Sequence, residues 1–160
     1  MKYETTLVSA CLLGVSCRHD GGHAYCPEVF DELWRSHFIP VCPEQLGGLP
    51  TPRSPANMEG GDGWDVLRSR ARVLNKEGED ITASFLKGAQ ETLRIAQLVK
   101  ARKAILKDHS PSCGCQASYR ETGLVKGVGV TAALLVENGL EVTSEEGEPV
   151  ICLERIKGNK

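Results

Sequence analysis

Seven cysteines stand in this 160-residue chain, and three of them occupy motifs suited to chemistry. Cys11 lies in SACLLG, Cys42 in PVCPEQ and Cys113 in DHSPSCGC. Thiolates bind soft metals and attack electrophiles, so these three predict a thiol-ligated metal site. Glu44 follows Cys42 by two residues and offers a carboxylate for general acid or base work. Ser110 and Ser112 add hydroxyls beside Cys113, and Cys115 forms a C-x-C pair with it. Arg53, after the rigid GLPTP stretch, is the candidate for bidentate recognition of a phosphate or carboxylate. In GVGVT, Gly127, Gly129 and Thr131 adjoin a predicted helix, and a Gly-rich turn entering a helix N-terminus suits an anion such as phosphate.

Those residues need elements to hold them. Residues 5–10 read as a buried strand ending at Cys11. Residues 27–37 read as a helix opened by Pro27, with Val29, Phe30, Leu33 and Trp34 on one face. Residues 38–42 form a second apolar run ending at Cys42, although Pro40 cannot donate to a ladder. The Gly- and Pro-rich segment 46–63 predicts a long loop, and 69–74 an edge strand. Residues 82–101 carry Phe85, Leu86, Ala89, Leu93, Ala96 and Val99 at helical spacing, with Thr82 as N-cap. A strand at 103–107 runs into DHSPSCGC. A helix follows at 129–138, stopped by Gly139, then a strand at 140–143 and a last strand or turn at 149–157. Strands alternating with helices predict one Rossmann-like α/β domain over residues 1–160, a mainly parallel sheet with helices on both faces. In such sheets ligands bind beyond the carboxyl ends of the strands. Parallel strands would bring Cys11, Cys42 and Cys113 to one edge.

Bulk composition narrows the partners. A net charge of −2 and a pI near 6.1 give no footprint for duplex DNA, so nucleic acid is not an expected partner. No apolar run reaches the roughly 20 residues of a membrane span. The N-terminus reads as a buried strand rather than a signal peptide, which predicts a cytoplasmic location. An odd cysteine count excludes a fully paired disulfide framework within one chain. Cys152, in VICLE, reads as core. Two rival readings follow from the thiols. Cys11 or Cys113 could be a metal-free nucleophile of a sulfurtransferase or thiol hydrolase. Cys17, His19, His23 and Cys26 have a zinc-knuckle composition, and a zinc-stabilised binding module is the second rival. Their C-x-H-x₃-H-x₂-C spacing departs from the common structural pattern.

SACLLG, VCPEQLGGLPTPR, ILKDHSPSCG and GVGVTAALL, in that order, resemble the DUF523 family of thiouracil desulfurases from about residue 7 to residue 145. The resemblance implies a Rossmann-like domain and a [4Fe–4S] cluster on Cys11, Cys42 and Cys113, with the fourth iron open to substrate sulfur. It implies a non-redox desulfidase acting on thiolated pyrimidines such as thiouracil or 4-thiouridine monophosphate, releasing hydrosulfide. Glu44 matches the family's catalytic carboxylate, and Ser110, with Ser112 next, its catalytic serine. The chain departs from the usual pattern at Cys17, where the family more often shows an apolar residue, followed by Arg18, His19, Asp20 and Gly21. Asp20 joins Arg53, Gly129 and Thr131 as a substrate-binding candidate. Cys17 and Cys115 are thiols beyond the three that the resemblance assigns.

Overall fold

Prolines punctuate the first half of the chain. In the computed structural model, which describes residues 4–151, β1 (Thr5–Ser9) runs into a 3₁₀ turn at Ala10–Leu13. Then α1 (Pro27–Leu33) leads to β2 (His37–Val41), which is followed at once by α2 (Pro43–Leu46). Pro27 and Pro43 each open a helix, where a missing N–H costs nothing, and each holds the preceding cysteine extended. Cys42 therefore ends a strand while Glu44 lies in the first turn of the next helix. A glycine pair fixes that turn. A Cβ on Gly88 of α4 (Thr82–Val99) would strike the Pro43 carbonyl, and one on Gly47 would strike the Ser84 carbonyl. With hydrogen at both positions, α2 lies directly against α4.

The remaining elements are β3 (Ala56–Glu59), α3 (Gly63–Leu67), β4 (Arg72–Asn75), β5 (Lys103–Leu106), β6 (Ala117–Arg120), β7 (Gly123–Lys126), α5 (Val130–Glu137) and β8 (Glu141–Ser144). The first sheet has the order β2-β1-β5-β8 and is parallel throughout. Leu7, Ala104, Leu106 and Val142 pack on one face with Ala96 of α4 and Ala132 and Leu135 of α5. Val8 and Ile105 pack on the other with Val29 and Leu33 of α1. Both faces are covered, as a parallel sheet requires. Pro40 is tolerated because β2 is an edge strand. The expected α/β class with a mainly parallel sheet holds. Strand order reverses at β1, so the crevice beyond β1 and β5 is a topological switch point.

Four strands depart from the single expected sheet. They form a second sheet of order β4-β3-β6-β7, in which two antiparallel pairs are joined by the parallel contact Met58↔Arg120. Residues 46–63, expected as one long loop, contain the end of α2, all of β3 and the start of α3. Burial of Met58 and Val73 against Phe85, Ala89 and Val130 is what orders them. The β6–β7 hairpin occupies a stretch to which the sequence pattern assigned no element. Thr82 is the first helical residue rather than the N-cap, a place held by Ile81. Its hydroxyl accepts from the Val73 amide at 2.8 Å, and Asp80 accepts from the Thr82 amide at 3.0 Å. Cys152 and the end of the 149–157 segment lie outside the described residues. No described helix is long and apolar enough to cross a membrane.

Candidate active site

Three strand ends deliver three thiols to one cavity. Cys11 sits just past β1, Cys42 between β2 and α2, and Cys113 in the loop after β5. All three line a cavity of about 330 Å³ at the carboxyl edge of the first sheet, together with Glu44, Arg53 and Ser110. That volume suits a small molecule. Cys17 is a fourth thiol on its wall.

Glu44 is held by its carboxylate. Arg53 donates from Nε at 3.2 Å and from Nη2 at 3.0 Å to the same Glu44 oxygen, Oε2. Neither bond uses Oε1. The other guanidinium bonds go to the Pro50 carbonyl, Thr51 Oγ1 and the Cys17 carbonyl. The Arg53 side chain is only 7% exposed. The carboxylate expected of a ligand is the protein's own, met through one oxygen, so Arg53 orients Glu44.

The Cys113 loop is organised by Asp108. Its Oδ1 accepts from the amides of His109 and Cys115 at 2.9 Å, Gln116 at 3.1 Å and Ala117 at 3.2 Å. Burial works to raise the Asp108 pKa, but these backbone donors outweigh it and hold the carboxyl below the usual range. Ser110 Oγ accepts from the amides of Ser112 at 3.0 Å and Cys113 at 3.2 Å. With its acceptor capacity filled, its O–H is left to donate, and Ser110 lines the cavity. Ser112 is buried, shares a 2.9 Å bond with Thr131 Oγ1 and is not on the cavity wall.

The N-terminus of α5 does not hold an anion. The amides of Val130, Thr131 and Ala132 donate to the carbonyls of Pro111 and Ser112 at 2.8–3.2 Å, so the cysteine loop itself caps the helix. A Cβ on Gly129 would strike the Ser112 carbonyl, which explains the glycine by close approach. Thr131 is fully buried. Asp20 is exposed and accepts from the Gly22 amide at 2.8 Å, closing a turn off the cavity wall. Gly129, Thr131 and Asp20, read from the sequence as substrate contacts, are thus placed as structural residues.

The zinc-knuckle group is dispersed. Cys17 faces the cavity, Cys26 Sγ donates to Glu28 at 3.4 Å, and His23 Nδ1 accepts from the Tyr25 amide at 3.1 Å. Among the described residues no three His, Cys, Asp or Glu side chains are arranged to hold a single metal ion. A cluster makes a different demand, since each thiolate binds its own iron and the donors stand around a space. The donor set here fits that demand. A hydrogen bond with Cys17, followed by burial, pushes the Cys42 thiol up. Burial, followed by the nearby Glu44 charge, pushes up the Cys113 thiol. Soft donors crowded beside a carboxylate are what metal binding relieves. The upward shift at Cys113 disfavours it as a metal-free nucleophile, which needs a lowered thiol pKa.

Sequence reasoning missed several wall residues. Lys107 and His109 lie inside the ILKDHSPSCG motif, which was their signal. Asn57 of β3 and Tyr119 of β6 line the cavity from the second sheet and carry no motif.

Comparison with known proteins identifies relatives of this chain. The chain is 43% identical over 142 residues to the uncharacterised protein YbbK of Bacillus subtilis (strain 168), covering 87% of this chain and 94% of the relative. It superposes on the solved structure of the [4Fe–4S]-dependent thiouracil desulfidase TudS with a TM-score of 0.76 and 37% identity, covering 89% of this chain and 91% of that one. A profile of the 2-thiouracil desulfurase family matches residues 6–147, and the chain belongs to that family.

Proposed function

We propose that this protein is a desulfidase that converts thiouracil and water to uracil and hydrosulfide, using a [4Fe–4S] cluster held by Cys11, Cys42 and Cys113. The observation that carries the reading is the convergence of these three thiols with Glu44 on one cavity. When bound, such a cluster supplies an exposed thiophilic iron that can hold the thiocarbonyl sulfur and polarise the C=S bond. Glu44, fixed through Oε2, takes the proton of the attacking water at Oε1. Ser110 donates its hydroxyl proton to a ring heteroatom as the ring carbon is attacked. Arg53 keeps the carboxylate aimed. The thiocarbonyl and carbonyl carbons share one oxidation level, so no electron is transferred.

The substrate form follows from what is already engaged. Arg53 and the α5 N-terminus, the two features that favoured a phosphate, are both spent inside the protein. We therefore assign the free base rather than a nucleotide. The described cysteines are all free thiols, which supports action in the reducing cytoplasm.

Anaerobic reconstitution with iron and sulfide quantitation, followed by assay of 2-thiouracil against 4-thiouridine monophosphate, tests the reading. Uracil and hydrosulfide are expected in equal amounts, with turnover lost in Glu44→Gln and Ser110→Ala. Full activity in Cys42→Ala or Glu44→Ala would overturn it.

A further inference from the structure

We propose that Cys17 is a displaceable fourth thiolate of this site, occupying the iron that Cys11, Cys42 and Cys113 leave open until substrate sulfur takes its place. The proposal rests on the cluster reading above and concerns how that cluster is guarded between turnovers. Cys17 lines the same cavity as the other three thiols, and it shares one buried cluster with Cys11, against which Cys42 packs. It is 2% exposed, so the contact is made inside the protein.

Its backbone is pinned at that spot. Arg53 Nη2 donates to the Cys17 carbonyl at 3.0 Å, the Arg53 amide donates to the His19 carbonyl at 2.8 Å, and Cys42 Sγ lies 3.7 Å from the Cys17 carbonyl. One arginine thus sets both the catalytic carboxylate and the loop that bears the fourth thiol. Cys17 does pack against Val8, Leu12 and Val29. A residue serving only as apolar filler would need neither a place on the cavity wall nor a guanidinium on its carbonyl. Cys115, the other spare thiol, makes the contrast. It is fully buried, points its thiol at the Cys113 carbonyl at 3.6 Å and is not on the cavity wall.

Position in the fold supplies the difference between permanent and displaceable. Cys11, Cys42 and Cys113 are set by regular elements and by the Asp108-organised loop, whereas Cys17 sits in the irregular segment between the 3₁₀ turn and α1. With its backbone held by Arg53, release of the Cys17 sulfur needs only rotation of the side chain to another staggered rotamer. In the exchange, the bond from Cys17 sulfur to iron breaks as the bond from thiocarbonyl sulfur to iron forms. The freed thiolate takes one proton from water and no electron moves. A soft donor in reserve protects an iron that would otherwise meet water and oxidants.

The test compares anaerobically reconstituted wild type, Cys17→Ala and Cys17→Ser, without substrate, under stepwise ferricyanide. Electron paramagnetic resonance reads the three-iron cluster, and iron release is counted. Wild type is expected to keep its four irons at an oxidant level where both variants lose one iron per cluster and show the three-iron signal. Wild type that loses one iron per cluster at the first substoichiometric addition of ferricyanide overturns the proposal while leaving the desulfidase reading intact, and this outcome needs no variant to fold. A folded Cys17→Ser protein that loads no cluster makes Cys17 a permanent ligand and overturns it too. Failure of wild type to load any cluster removes the cluster reading itself.

Discussion

In the proposed mechanism, Arg53 and Glu44 form the pair on which the chemistry turns. Both guanidinium bonds converge on Oε2, which leaves one oxygen for the proton. Arg53→Ala is expected to lower kcat by roughly 100-fold through misplacement of the base, with a smaller change in KM. Arg53→Lys restores the charge but not the planar fork, so recovery is expected to be partial. Steady-state kinetics on the reconstituted proteins reads both. Asp108 gives a second residue-scale prediction. Its pKa is held down in the folded state, so its contribution to stability is present above the unfolded value and lost as pH falls through the folded one. Urea midpoints measured from neutral pH down to below about pH 4 should therefore fall more steeply in wild type than in Asp108→Asn. Asp108→Ala, which strands four loop amides, is expected to cost about 1–3 kcal/mol. The sequence made the thiols and Glu44 legible because their types announce chemistry. It did not show the partner of Arg53, because a cation's partner is settled by tertiary approach, and here that partner is nine residues back. Gly129 and Thr131 were misread for a related reason. A helix N-terminus preceded by glycine has the same sequence whether it meets a phosphate or the carbonyls of Pro111 and Ser112.

At the scale of elements, the short α2 depends on the long α4 beneath it. Alanine at Gly88 would gain about 1 kcal/mol of helix propensity. The same methyl would be driven into the Pro43 carbonyl, a backbone atom that cannot rotate away. Overpacking of that kind costs about 1–3 kcal/mol or more, so the clash wins and the net effect is destabilising. Gly88→Ala should lower Tm and, by tilting α2, reduce cluster loading, read by iron content after reconstitution. Periodicity revealed α4 plainly, since its apolar residues recur over 18 helical positions. The second sheet gave no such signal. Its strands are four residues long, and its two antiparallel pairs are joined at Met58↔Arg120, across more than sixty intervening residues that no local pattern can bridge.

At the scale of the whole molecule, the cavity has two makers. The first sheet supplies the thiols and Glu44, and the second contributes Asn57 and Tyr119 to the wall. Stacking of a base on an aromatic ring contributes about 1–3 kcal/mol. Tyr119 is 46% exposed, so the low end applies. Tyr119→Ala is expected to raise KM for thiouracil roughly five-fold with kcat kept, the equivalent of about 1 kcal/mol. A split of this kind between kcat and KM would mark the two sheets as separate instruments.

That division carries an evolutionary consequence. The parallel sheet is covered on both faces and closes on its sulfur donors, so almost any change there disturbs the reaction. Asn57 and Tyr119 line the cavity from exposed positions of β3 and β6. Variation can thus retailor which thioketone is admitted while the machinery that strips its sulfur stays untouched.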